Sequence, residues 1–205
     1  MKKVLNEYEA EKFLKKYVPV ANSILIKNKA NLEKVKSFPT VLKIISNNAI
    51  HKTEIQGVII TSTKNELENS YNELLQRAKK HKIKIEGILA QDYYEGIELL
   101  IGIKKDQVFN RVIVFGLGGI YTEILKEVVI RKCPISMEDA EEMIYELKYN
   151  DIFSSRGNKI NKSKLAEILV KVSNLYKQPI QELDINPFII NNKEAYVVDA
   201  RIVFE

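Results

Sequence analysis

Cysteine is almost missing from this chain, with one thiol, Cys133, among 205 residues. A lone cysteine excludes an intramolecular disulfide and fits a reducing, cytoplasmic setting. Long apolar runs are missing too. No stretch approaches the roughly 18 residues of a membrane-spanning helix, so no membrane partner is expected. The N-terminus, Met1-Lys2-Lys3-Val4-Leu5, turns acidic at Glu7, Glu9 and Glu11 where a signal peptide would turn apolar. No period of roughly 20 to 50 residues repeats, which excludes a solenoid, and no low-complexity linker divides the chain. Glycine is scarce at 8 residues, so the cluster Gly116, Gly118 and Gly119 stands out.

What remains is the composition of a folded globular protein. Hydrophobic residues make up 45% and charged residues 29%, in a chain long enough for one domain or two small lobes. The net charge of +5 is mostly diffuse lysine, densest at Lys79, Lys80, Lys82 and Lys84. The first of these fall near a predicted helix end, where cations complement the macrodipole. No nucleic-acid motif accompanies them, so they read as a solvated helix end and no nucleic-acid partner is expected.

Helices and strands are mixed throughout. Asn6 with Glu9 three residues on marks a helix start, followed by Ala10, Phe13, Leu14 and Tyr17 at helical spacing. Asn22–Lys27, Thr40–Ser46 and Gln56–Thr61 predict strands. Residues 64–80 predict a helix whose Leu67, Tyr71, Leu74, Leu75 and Ala78 form one apolar stripe. Ile83–Asp92, Glu98–Lys104, Arg111–Phe115 and Glu127–Arg131 are strand candidates rich in Ile and Val. Ser136 with Asp139 starts another helix, and Leu165, Ile168, Leu169, Val172 and Leu175 mark a third. The chain closes on strands Leu183–Ile190 and Ala195–Val203 around the turn at 191–194. The expected class is α/β, in two lobes without a flexible linker, and ligands often bind between such lobes.

Four places carry candidate chemistry. The run Phe115-Gly116-Leu117-Gly118-Gly119-Ile120 follows an apolar strand and precedes Tyr121–Lys126, which can form a helical turn. Such a junction lets backbone N–H groups approach an anion, although a tight turn alone would use the same glycines. Lys43 is centred in the otherwise apolar Val41-Leu42-Lys43-Ile44-Ile45, where it must meet an anion, such as a nucleotide phosphate, or snorkel to water at a sheet edge. His51 lies in the polar loop Ser46–Glu54, beside Lys52 and Thr53, with Glu54 able to orient an imidazole. His81, flanked by lysines, reads as surface.

The terminal hairpin is the fourth. If its turn centres between Asn192 and Lys193, Asn186 faces Asp199 and Asp184 faces Arg201. Alternation then places Asp184, Asn186, Asp199 and Arg201 on one face, with Ile185, Pro187, Ile189, Val198, Ala200 and Ile202 on the core face. Two carboxylates and an amide oxygen suit Mg²⁺ with bound phosphates, or else form a solvated polar face.

Together Val41–Ile44 with His51-Lys52-Thr53-Glu54 and Gly57, the glycine run through Lys126, and Asp184-Ile185-Asn186-Pro187-Phe188 with Val198-Asp199-Ala200-Arg201 resemble a known family. It is the nucleotide-binding β subunit of ADP-forming acyl-CoA synthetases, notably archaeal acetate–CoA ligases. These are related to succinyl-CoA synthetase β chains within the ATP-grasp superfamily. The motifs keep the family order and span almost the whole chain.

The resemblance implies one ATP-grasp domain over 1–205. A smaller lobe of about 20–88 and a larger one of about 1–19 plus 89–205 would clasp ATP or ADP with Mg²⁺. Gln91 and Asp92 would hold the adenine, Glu98 the ribose, and Lys43 the phosphates, with Gly116, Gly118 and Gly119 in the glycine turn. Asn186 and Asp199 match the Mg²⁺ ligands, with Asp184 beside them. His51 matches a histidine that accepts phosphate from a phosphohistidine on the α subunit and passes it to ADP. The implied reaction is acyl-CoA + ADP + phosphate ⇌ acid + CoA + ATP. A separate CoA-binding α subunit is therefore expected, in a hetero-oligomer such as α2β2. The alternative is a non-catalytic ATP-grasp subunit that senses nucleotide. The chain departs from the family pattern at Asn47 and Asn48, and Gln56 stands where a glycine is usual. Arg131 and Arg156 fall in family-like segments and are assigned no role.

Overall fold

Both predicted capping pairs close. In this computed structural model, which describes residues 2–47, 55–119, 127–148, 150–153 and 159–205, the Asn6 side chain accepts the Glu9 N–H at 3.0 Å and Glu9 accepts the Asn6 N–H at 3.2 Å. Ser136 and Asp139 repeat the arrangement at 3.0 and 2.8 Å. Each pair satisfies two N–H groups that a first helical turn leaves without partners.

In chain order the described strands and α-helices are β1 (Lys3–Leu5), α1 (Glu7–Leu14), β2 (Ser23–Ile26), β3 (Thr40–Ile45), β4 (Val58–Thr61), α2 (Leu67–Lys80), β5 (Gly87–Asp92), β6 (Ile97–Asp106), β7 (Asn110–Leu117), β8 (Val128–Lys132), α3 (Met137–Glu146), α4 (Lys162–Ser173), β9 (Ile180–Ile190), β10 (Ala195–Val197) and β11 (Ala200–Phe204). Three-residue β1 is too short to show an alternation, and sequence patterning does not find it. No described helix is long and apolar enough to cross a membrane.

The chain divides into two units, Met1–Val20 with Glu95–Glu205, and Ala21–Tyr94. The smaller is an antiparallel sheet in the order β2-β5-β3-β4. Leu42 and Ile44 of β3 and Ile88 and Ala90 of β5 pack with Leu67, Tyr71, Leu74 and Ala78 of α2. Leu74 is fully buried there, so Leu74→Ala should cost about 2–5 kcal/mol. The unit ends after Tyr94 and not near residue 88, because β5 hydrogen-bonds between β2 and β3 and completes this sheet.

The larger unit holds the order β1-β11-β9-β6-β7-β8, with β10 also paired to β9. Its core joins Leu99, Ile101, Phe115 and Ile185 of the sheet to Leu14 of α1, Met143 of α3 and Leu165 and Leu169 of α4. The expected last strand is two strands, β10 and β11, interrupted at Val198 and Asp199. A second correction concerns the core face of β9, where Phe188 and Ile190 are buried in place of Pro187 and Ile189. Leu99 pairs with Phe188 but Ile101 with Ile185, so β9 carries one extra residue and its alternation inverts.

Candidate functional site

β6 runs between β7 and β9, and this order brings together three segments that are distant in sequence. The Gly118 N–H donates to the Glu98 carbonyl at 2.8 Å. The next amide, that of Gly119, donates to Asn186 Oδ1 at 3.0 Å. Both glycines are required by their surroundings. A Cβ on Gly118 would stand 2.6 Å from the Leu99 backbone, and Gly119 has φ +59°. Gly116 pairs with Leu100 and Val128 within the sheet.

The hairpin register is the one expected from its turn. Asp184 pairs with Arg201, and the Asn186 N–H donates to the Asp199 carbonyl at 3.2 Å. Burial raises the Asp184 carboxyl above its ordinary value, the charges of Asp199 and Glu182 raise it further, and Arg201 opposes them. Arg201 is itself 3.9 Å from Glu182. Crowded carboxylates beside an amide oxygen form a donor set that a hard cation would relieve, so Asp184, Asp199 and Asn186 fit Mg²⁺. Among the described residues no group of three His, Cys, Asp or Glu is arranged to hold a metal ion. A cation here would therefore depend on oxygens from a bound ligand, which is the usual habit of Mg²⁺ with phosphates.

In the smaller unit, Lys43 is only 7% exposed. β3 lies between β4 and β5, so its lysine cannot snorkel from a sheet edge. Its Nζ donates instead to Gln91 Oε1 at 2.9 Å. The neighbouring Asp92 accepts from Asn22 Nδ2 at 3.2 Å, and Thr40 Oγ1 donates to the Gln91 carbonyl at 3.0 Å. Lys43, Gln91 and Asp92 thus belong to one hydrogen-bonded region of this sheet.

His51, with Lys52, Thr53 and Glu54, lies outside the described residues, as do Ile120–Lys126 and Arg156. The flanks of the histidine segment are described. Ser46 Oγ donates to the Lys84 carbonyl at 2.8 Å, and Asn47 Nδ2 donates to Glu86 at 2.8 Å. Gln56 takes φ +50°, and its carbonyl accepts from Arg77, which also pairs with Glu73 at 2.6 Å. Arg131 is bound to Glu146 and lies 4.0 Å from Glu142, a structural bracing of α3. The buried Cys133 thiol is pushed up to about 12 by desolvation, against the pull of Arg111, which disqualifies it as a nucleophile.

A family model described as an ATP-grasp domain matches residues 1–204. The chain belongs to the ATP-grasp family. It is 36% identical over 211 residues to the acetate–CoA ligase [ADP-forming] I subunit beta of Pyrococcus furiosus, covering 97% of this chain and 91% of the relative. It is also 36% identical over 173 residues to the longer acetate–CoA ligase [ADP-forming] I of Archaeoglobus fulgidus. That match covers 81% of this ATP-grasp chain but only 25% of the relative, so the chain spans a quarter of it.

Among solved structures, the dinucleotide forming acetyl-coenzyme A synthetase 1 of Ca. Korarchaeum cryptofilum, in complex with coenzyme A, Ca-AMPCP and HgCl⁺, superposes with a TM-score of 0.93 at 34% identity. The match covers 99% of this chain and 94% of that one. A second structure of that enzyme holds coenzyme A and Mg-AMPPCP, with its phosphohistidine segment pointing towards the nucleotide binding site. Its TM-score is 0.85 at 33% identity, covering 99% of this chain and 93% of that one.

Sequence reasoning on this ATP-grasp chain missed Arg77 and Glu86, which hold the flanks of the His51 segment. Neither stands in a motif. Only the paired strands and the end of α2 bring them there.

Proposed function

We propose that this chain is the β subunit of an ADP-forming acyl-CoA synthetase, acetyl-CoA being the substrate favoured by its relatives' names. It binds ADP or ATP with Mg²⁺ in the cytoplasm and completes the enzyme with a separate CoA-binding α subunit, in a hetero-oligomer such as α2β2. The observation that carries this reading is the bond from the Gly119 amide to Asn186, beside the crowded pair Asp184 and Asp199. It ties a phosphate-type glycine turn to a cation-type oxygen face within one unit.

In this reading Gln91 and Asp92 take the adenine, Glu98 the ribose, and Lys43 the phosphates. Gly116, Gly118 and Gly119 shape the turn beside the transferring group, the Gly118 and Gly119 amides being held by the Glu98 carbonyl and Asn186. Asn186, Asp199 and Asp184 would hold Mg²⁺, which screens phosphate charge there. An imidazole nitrogen of His51 bonds to phosphorus as the P–N bond of the partner's phosphohistidine breaks. An oxygen of the terminal phosphate of ADP then displaces His51 and forms ATP. Positioning and charge neutralisation supply most of the rate in such transfers. The test mixes the chain with its CoA-binding partner, acetyl-CoA, ADP and phosphate, and follows ATP. Full activity in His51→Ala would overturn the carrier role.

Gln56 favours a second reading, in which the subunit senses nucleotide without chemistry, because it occupies the left-handed region where glycine is at home. A sensor binds ADP by calorimetry yet never acquires an acid-labile phosphate from the partner.

A further inference from the structure

We infer that Lys79, Lys80, Lys82 and Lys84 form an electrostatic landing surface for the anionic, phosphorylated segment of the partner chain that delivers phosphate to His51. This rests on the transfer reading above, and it concerns the approach of the donor, not the chemistry.

All four lysines are exposed. Among the described residues none of the four is in an ion pair. Within residues 73–86 the acidic residues are Glu73 and Glu86, and those two are engaged with Arg77 and Asn47. Helix-dipole compensation accounts for Lys79 and Lys80 in the last turn of α2, but it fades beyond that turn. Lys82 and Lys84 lie past His81, the helix C-cap.

Lys82 is the telling residue. Its N–H donates to the Lys79 carbonyl at 3.1 Å, and the Ile83 N–H donates to Ala78 at 2.9 Å. These are the two bonds of a Schellman helix end, and Lys82 holds its left-handed position at φ +54°. Glycine is the ordinary occupant of that position because it adopts the conformation without steric penalty. A lysine placed there puts a charge where the fold alone favours none.

The placement points to the His51 segment. The chain leaving β3 is bonded to this same end of the unit through Ser46 to the Lys84 carbonyl and Asn47 to Glu86. The chain entering β4 is held there by Arg77 on the Gln56 carbonyl. In sequence, His51 stands four residues from Asn47 and four from Ile55. Lys84 and Arg77 therefore bond to the two anchors of the segment that carries the acceptor, and Lys79, Lys80 and Lys82 lie between them in sequence. A phosphohistidine segment brings negative charge, and a cluster of the opposite sign raises encounter rates by about 10 to 1,000-fold at low ionic strength. The effect should appear in rate more than in final affinity.

The experiment measures the second-order rate of phosphoryl transfer from the phosphorylated partner to ADP, at low and high salt. The triple variant Lys79→Glu, Lys82→Glu, Lys84→Glu should be slowed about tenfold or more at low salt. Its dependence on salt should flatten or reverse, while ADP binding by calorimetry is unchanged. Lys82→Gly relaxes the helix end while removing one charge, so it should slow transfer in a well-folded chain. Equal rates and equal salt dependence in wild type and both variants overturn the proposal alone. Failure of the wild-type chain to accept phosphate at any salt overturns the transfer reading and this proposal with it.

Discussion

The Gly119 amide donates to Asn186 Oδ1 at 3.0 Å, joining a turn after β7 to a strand 67 residues later. The bond fixes which way the Asn186 amide points, with its oxygen turned toward the turn. Because Gly119 has φ +59°, Gly119→Ala should cost about 1–2 kcal/mol from backbone alone. The new Cβ would also stand 1.8 Å from Glu98 Oε2, but that carboxylate is the free end of an exposed side chain and can move aside. Adding Glu98→Ala should therefore not restore stability in urea unfolding. Full recovery would show that the clash, and not the φ angle, dominates.

Asp184 bears on pH. Its folded-state pKa lies above that of the unfolded chain. The carboxyl thus contributes stability while protonated, below its ordinary value of 3.8, and loses that contribution as pH rises through its elevated value. At neutral pH the ionised group opposes folding of the nucleotide-free chain. Asp184→Asn should raise Tm at pH 7, and the gain should disappear by about pH 3–4. The same substitution should weaken binding of Mg-nucleotide. A lower Tm at pH 7 would mean that the carboxylate is already compensated in the free protein.

Lys43 and Gln91 should respond unequally to removal. Gln91→Leu takes an acceptor from a buried ammonium and should destabilise by about 1.5–3 kcal/mol. Lys43→Met removes the charge but keeps the packing, so stability should change little or improve. Nucleotide affinity should fall in both. Denaturant titration with calorimetry separates them, and equal losses of stability would exclude this asymmetry.

Much of this was legible before the fold. The capping pairs at Asn6 and Ser136, the stripe on α2 and the hairpin register are local patterns with one physical solution each. The inverted core face at Phe188 was not legible, because the bulge exists only in the pairing with β6. Nor was the partner of Lys43. A strand sequence shows that a buried lysine needs an acceptor, but the acceptor sits on another strand 48 residues away. The clamp of Arg77 on the Gln56 carbonyl escaped for the same reason, since it is set by how α2 lies on the sheet.

That clamp makes Gln56 a clean test of backbone strain. At φ +50° the side chain costs about 1–2 kcal/mol in the folded state. Glycine would remove this cost but would give the unfolded chain about 0.5–1 kcal/mol of extra entropy to lose. The carbonyl that Arg77 holds belongs to the main chain, so Gln56→Gly leaves the bond available. The net expectation is a small stabilisation, near 0.5 kcal/mol, or about 1–2 °C in Tm for a chain of this size. Arg77→Ala should act in the opposite sense, because it frees the carbonyl and unpairs Glu73 together. If Gln56→Gly instead lowers Tm, the glutamine side chain makes a contribution larger than the strain it brings, and the departure from glycine is a stabilising one.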